Sequence, residues 1–356
     1  MNIFDIVKPA NVVAYYDARK ADQTAYLGDV LFPAQKVPGI EVNKINGYAG
    51  LPVELKASNF DAQATYRDRQ SVTVSKQKMP LYRERMRVDE ETRQKIMTVS
   101  NDAVVKSYIP LIFDDTTNLI RGARVARERM AMELISTGHI KITGNGVKLD
   151  YNYGLDKKHQ MAKPDVAWSN SSTATPLTDM MDWVDEFRTF YGISLGYAIM
   201  TTHTFNLIKA SKEVRDTLYP TASSAASILV TSAQVKELVQ NAVGVQILIN
   251  DNVYATSVGG AGKKFFPDDV VTFIPVGSNR GIGNMMFGTT PEEVDLLSNP
   301  KFADNIRIVD TGVAVYTRTL DHPVNVETIV SQICLPSFGA DVEGGAGSVL
   351  IANVGR

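Results

Sequence analysis

The sequence predicts an α+β fold, a compact α/β lobe carrying extended limbs. Three observations support this. Helical and short buried-strand patterns alternate from 175 to 275, a long amphipathic helix precedes them at 112–137, and long alternating strands lie to either side. At 356 residues the chain exceeds the roughly 250–300 at which single cores stop growing, so more than one lobe is expected.

Residues 1–50 are broken by Pro9, Gly28, Pro33, Pro38, Gly39, Gly47 and Gly50. Punctuation that dense does not sustain a packed domain, so an extended arm with at most a short helix is predicted. Its apolar run 12–16 is expected to dock on another copy. Next, "LPVELKA" and "SVTVSKQKM" alternate apolar and polar residues around the polar "SNFDAQATYRDRQ", which predicts a long hairpin. An isolated two-stranded hairpin is marginal in water, so it needs a surface beyond its own chain.

In "IFDDTTNLIRGARVARERMAMELISTG", Ile112, Thr116, Leu119, Ala123, Ala126, Met130 and Leu134 recur at helical steps. Asp114 and Asp115 sit near the expected start, and Gly138 follows the end. This rod spans roughly 39 Å at ~1.5 Å per residue. The arginines 121, 124, 127 and 129, partly offset by Glu128 and Glu133, read as a solvated face, with weak DNA neutralisation left open. "HIKITGNGVKLDYNYG" predicts a hairpin turning at 144–146.

Thr175 and Pro176 suit the N-cap and first position of a helix whose Met180, Val184, Phe187 and Tyr191 share a face, with Gly192 ending it. "GYAIMT", "VQILIN" and "VVTFIP" read as short buried strands; "TFNLIKAS" and "TSAQVKELVQNAVG" read as helices. Long strands are predicted over "IRIVDTGVAVYTRTL" and "VNVETIVSQICLP". The glycine-rich tail, "GADVEGGAGSVLIANVGR", is expected to be partly mobile.

Composition narrows the function. Hydrophobic residues make up 44% and charged residues 21%, ordinary for a folded soluble chain. Lys+Arg is 37 against Asp+Glu 39, a balance of −2 that argues against a dedicated nucleic-acid binder. One cysteine, Cys334, excludes an internal disulfide framework and any cysteine zinc site; it reads as a small buried hydrophobe in a reducing compartment. The start lacks an uninterrupted signal-peptide core, and no apolar run reaches the ~18 residues of a membrane span.

No motif points convincingly to chemistry. "GISLG" matches G-x-S-x-G, but a nucleophile elbow runs from strand to helix, whereas here Ser194 falls between a helix and a strand. "GGAGKK" fails the phosphate-loop pattern at Ser257 and Lys264. "GSNRGIG" would need Gly or Ala at Met286 and a following helix. His139, His159, His203 and His322 are scattered, Asp114–Asp115 and Asp268–Asp269 lack a calcium-loop context, and Trp168 and Trp183 read as packing residues. No catalytic, cofactor or metal residues are therefore assigned.

The clearest charge feature is basic. Arg67, Arg69, Lys76, Lys78, Arg83, Arg85 and Arg87 face only Asp68 and Glu84 within 67–87. Nucleic-acid binding is one reading, but no basic domain or base-stacking motif accompanies it; a solvated hairpin is the default, and a third reading is a limb lying across an acidic neighbour that presents Glu292, Glu293 and Asp295. Arg280 is read as either an acidic-partner contact or a plain surface residue. Lys56 and Asn59, also on the hairpin, read as surface residues.

The order of parts resembles the major capsid proteins of tailed bacteriophages with the Hong Kong 97 fold, and within them the phage lambda major capsid protein family. "KVPGIEVNKINGYAGLPVEL", "PLIFDDTTNLIRGARVARERMAMELISTGHIKITG" and "KKFFPDDVVTFIPVGSNRGIGNMMFGTTPEE" carry the resemblance. It implies an N-terminal arm (1–50), an E-loop (51–88), a peripheral domain (89–175) with its spine helix at 112–137, an axial domain (176–311), returning peripheral strands (312–340) and a tail (341–356). It further implies a homo-oligomer of pentamers and hexamers in an icosahedral virion shell around double-stranded DNA, assembled in the host cytoplasm. A separate scaffolding protein, a portal, a decoration protein and weak contact with packaged DNA are implied as partners. Two alternatives stay open: a nanocompartment shell of the same fold, and a serine hydrolase acting through Ser194.

Overall fold

The computed structural model describes residues 8–19, 25–46, 73–88, 90–91, 94, 102–220, 229–276, 282–299, 304–321, 324–338 and 349–355. The chain forms two compact units. One gathers Met1–Lys44, Lys76–Arg129 and Asn284–Ser337; the other gathers Ile45–Ser75, Met130–Gly283 and Phe338–Arg356. This division differs from the sequence-based one, because 284–311 falls with the long strands and 130–175 falls with the α/β lobe.

The first unit is built on a six-stranded sheet. Its strands are β1 (Ala34–Lys36), β4 (Leu81–Val88), β13 (Gly283–Phe287), β14 (Ile306–Val309), β15 (Val313–Asp321) and β16 (Val324–Phe338). They run in the order β1-β13-β16-β15-β14, with β4 also paired to β16. The single strand predicted over 306–320 is a hairpin instead: Asp310 takes φ 49°, a left-handed conformation that Asp tolerates in turns. Alternation then sends Val309, Val313, Val315, Val326 and Val330 to one face, where Phe113, Ile120 and Ala123 pack on them.

The arm departs from expectation. α1 (Pro9–Ala18) opens with proline at its first turn, and Val12 and Tyr16, one turn apart, are fully buried in this same core. After α2 (Leu27–Leu31), Phe32 is buried and β1 pairs in parallel with β13. These apolar residues are core of their own chain rather than surface reserved for a neighbour. Each large side chain so buried contributes roughly 1.5–3 kcal/mol, enough to hold a segment dense in Pro and Gly. The hairpin is also offset. β3 (Thr73–Lys78) pairs with β2 (Glu41–Asn46), ahead of the predicted limb "LPVELKA", which lies outside the described residues.

The rod is α3, Asp102–Thr137, 36 residues rather than the predicted 26-residue span. It begins ten residues early and runs through Pro110. Asp114 is therefore not an N-terminal charge; it receives Arg19 Nη1 at 2.7 Å and the Tyr15 hydroxyl at 2.8 Å. The buried line runs through Phe113, Thr116, Thr117, Ile120 and Ala123, while Leu119 is only half-buried. Arg127 and Glu128, read as solvated, are both buried. Arg127 lies over the Phe287 ring and 3.5 Å from Asp310 Oδ2.

In the second unit, β5 (His139–Gly144) and β6 (Val147–Asn152) form the predicted hairpin, with Asn145 and Gly146 both at positive φ. The sheet runs β7-β17-β12-β8-β9, from β7 (Met161–Ala162), β8 (Leu195–Met200), β9 (Gln246–Ile249), β12 (Val270–Pro275) and β17 (Leu350–Asn353). α4 (Pro176–Tyr191), α5 (Thr202–Ala210), α6 (Lys212–Leu218) and α7 (Ser232–Val243) accompany it. Met180, Phe187 and Tyr191 of α4 enter the core with Phe205, Val235 and Phe273. Gly192, at φ 71°, ends α4 as predicted. The cap at its start differs, because Glu213 rather than Thr175 accepts the orphan N–H groups of Leu177 (2.7 Å) and Thr178 (3.1 Å).

The tail is the largest correction. β17 lies between β12 and β7, with Leu350, Ile351 and Ala352 buried, as are Val349 and Val354 around them. Glycines dominate 339–347, outside the described residues, but "VLIANV" is an apolar, β-branched run that completes a sheet.

Candidate functional site

Strand periodicity places Arg83, Arg85 and Arg87 on one face of β4. Antiparallel pairing sets them opposite Ser331, Ile329 and Glu327 of β16. Two buried carboxylates meet this row. Glu292 lies in the first turn of α8 (Pro291–Ser298), which Thr290 caps by accepting the Glu293 N–H. Its Oε1 receives Arg83 Nη2 at 2.7 Å and its Oε2 receives the Ser331 hydroxyl at 2.7 Å. Glu327 receives Arg318 Nε at 3.0 Å and Nη2 at 2.8 Å, with Arg85 Nη1 more distant at 3.4 Å. Glu293 pairs with Lys36, which also donates to the Gly288 carbonyl.

The acids and bases of this network differ in exposure. The Glu292 and Glu327 side chains are 10% and 6% exposed, against 43% for Arg83 and 63% for Arg85. Solvated cations in such pairs add little stability, about 0–1 kcal/mol. Arg87 makes no ion pair among the described residues. The result is a sheet surface whose acids are built in and whose guanidinium groups face outward, with the exposed Leu81 on the same face of the strand. On α8, Val294 and Leu297 are also exposed. Planar cations and apolar side chains held on a strand suit contact with another macromolecule.

The Arg83–Glu292 pairing, anticipated between copies, is made inside one chain. Arg67, Arg69 and Arg280 lie outside the described residues. Sequence reasoning missed Lys36, Arg318 and Glu327. Residues 318 and 327 are cross-strand partners in the β15–β16 hairpin, and pairing outward from a turn at "DHPV" would have joined them.

The remaining motifs find structural places. Ser194 is exposed between α4 and β8, helix to strand. A Cβ at Gly196 would come within 2.3 Å of Val276, so close packing accounts for that glycine. "GGAGKK" runs from the connection between β10 (Val253–Tyr254) and β11 (Lys263–Lys264) into β11 itself. Residues 277–281 lie outside the described residues, and a strand rather than a helix opens at Gly283. Cys334 is buried, and burial pushes its thiol up to about 12. Trp168 is buried against Trp183 and donates to Asp179 at 2.8 Å. His159 stacks on Phe190 and meets Glu186, His203 meets Asp269, and His322 lies outside the described residues. Among the described residues, no cluster of His, Cys, Asp and Glu is fit to hold a metal ion.

Comparison with known proteins decides the family. The model for phage major capsid protein E matches residues 12–304. The chain belongs to the phage major capsid protein E family. It is a capsid protein, and copies of it assemble into the shell of the virion. No curated protein matches it. Two solved structures share the fold of this capsid protein. The putative capsid protein of a prophage of E. coli CFT073 is 15% identical with TM-score 0.58, covering 98% of this chain and 99% of that one. A phage-related protein from Bordetella bronchiseptica RB50 is 12% identical with TM-score 0.55, covering 96% of each. The capsid protein thus has the Hong Kong 97 fold expected from sequence. No helix among its described residues is long and apolar enough to cross a membrane.

Proposed function

We propose that the outward guanidinium groups of β4 are an inter-subunit contact of the shell. The observation that carries this reading is the asymmetry of the Glu327 network: the carboxylate is satisfied by Arg318 from its own hairpin, while Arg85 remains mostly exposed and Arg87 unpaired among the described residues. These two cations are not needed to neutralise their own chain, so an acidic neighbouring copy suits them. Arg83, committed to Glu292, serves the fold first. Residues 1–50 then act as the arm and 51–88 as the E-loop, with the unit built on the long-strand sheet as the peripheral domain and the α/β unit as the axial domain. Pentamers and hexamers close around the genome with a separate scaffolding protein, a portal and a decoration protein, and the role is structural rather than enzymatic.

The Arg85→Gln/Arg87→Gln double variant tests the contact. Its thermal midpoint should stay within a few degrees of wild type, because exposed pairs contribute little. Sedimentation and negative-stain microscopy should find capsomers or subunits in place of shells. Shells formed at wild-type yield and salt tolerance would remove β4 from the interface.

A further inference from the structure

The segment between α1 and β1 is tied to α3 by two side chains one turn apart, Arg124 and Glu128. Arg124 Nη2 binds Asp29 at 3.1 Å, and its guanidinium lies over the Tyr26 ring. Glu128, 2% exposed, accepts the Gly28 N–H on Oε2 at 2.8 Å. Its other oxygen, Oε1, is buried and accepts no hydrogen bond among the described residues. The cation that bears on it, Arg124, already serves Asp29, whose negative charge also bears on Glu128. Tyr26 also feels the charge of Glu128, and Tyr16 and Asp310 act on Arg124.

An ionised carboxylate so placed is costly, because a buried charge needs its lone pairs satisfied. A proton on Oε1 removes the charge and leaves the Gly28 hydrogen bond intact. We propose that Glu128 is a proton-operated latch that holds residues 26–31 on α3 when protonated and loosens them when ionised. Burial, then the charge of Asp29, push its carboxyl up to about 7, against the Gly28 N–H, Arg124 and the Leu27 N–H, which act to lower it. The sign follows from linkage. The docked form binds the extra proton, so docking is strongest at acidic pH, weakens as pH rises toward 7 and levels off above it.

Hydrogen–deuterium exchange on the full-length chain tests this, following peptides that cover 25–36 across about pH 6 to 8.5, with β8 peptides as the clock for intrinsic exchange. The opening equilibrium at Gly28 should rise about tenfold over that range, with a midpoint near neutrality. Glu128→Gln, which keeps an acceptor for Gly28 and cannot ionise, should abolish the dependence. Asp29→Asn, which removes the neighbouring charge and frees Arg124, should move the midpoint to lower pH. A flat profile in the wild type, the wild-type slope in Glu128→Gln, or an unmoved midpoint in Asp29→Asn would each overturn the latch.

Discussion

A chain ending at Ser348 should lose the second unit altogether. Removing β17 strips β12 of one of its two antiparallel partners and β7 of its parallel one, leaving β12 at the edge of a three-stranded remnant. It also removes the buried side chains of Val349, Leu350, Ile351 and Val354. At about 1.5–3 kcal/mol each, these four supply roughly 6–12 kcal/mol of burial, comparable with the ~5–15 kcal/mol net stability of a whole domain. The freed edge of β12, buried along its whole length, would template aggregation. Insoluble expression, or loss of near-ultraviolet signal from Trp168 and Trp183 in any soluble fraction, is the expected outcome. A soluble truncation with the wild-type aromatic spectrum would show that the tail is dispensable.

Ile120→Asp should have the second largest effect, and it acts on the first unit. Ile120 is fully buried between Val12 and Tyr16 of α1 and the valines of the sheet. A carboxylate there has no partner, and the cost is at least about 4 kcal/mol once cavity and desolvation combine. Denaturant unfolding should give a correspondingly lower midpoint or no cooperative transition. Asp at Leu119, the position singled out by the sequence pattern, should cost clearly less, because that side chain is half-exposed. Equal effects at the two positions would mean that the buried face of α3 is misplaced.

The contrast between Leu119 and Ile120 illustrates what periodicity can reveal. A stripe of apolar residues announces a helix and its approximate face: Thr116, Ala123, Met130 and Leu134 are buried as the stripe has them, but Leu119 and Ala126 are only half-buried, and Thr117, Ile120 and Arg127 are buried beside them. Local signals read well where a few residues decide the backbone: Asn145–Gly146 at the hairpin and Gly192 at the end of α4. Where composition and tertiary contact pull apart, composition misleads. Glycines in the tail concealed β17, and prolines in the arm concealed the buried Val12, Tyr16 and Phe32. The site was legible in half. The β4 arginines and the α8 acids stand out as charge runs, but Glu327 is a lone acid in a strand, and only the register of β15 on β16 shows that Arg318 satisfies it. Buried Glu128 carries no local signal, since charged residues on a helix usually face solvent.

The central claim is that this chain works as one tile of a closed shell. Negative-stain microscopy with sedimentation of the purified full-length protein, over a wide concentration range, tests it most directly. Rings of five or six copies and closed shells of uniform diameter are the predicted result. A monodisperse monomer at every concentration, with or without co-expressed assembly partners, would contradict it.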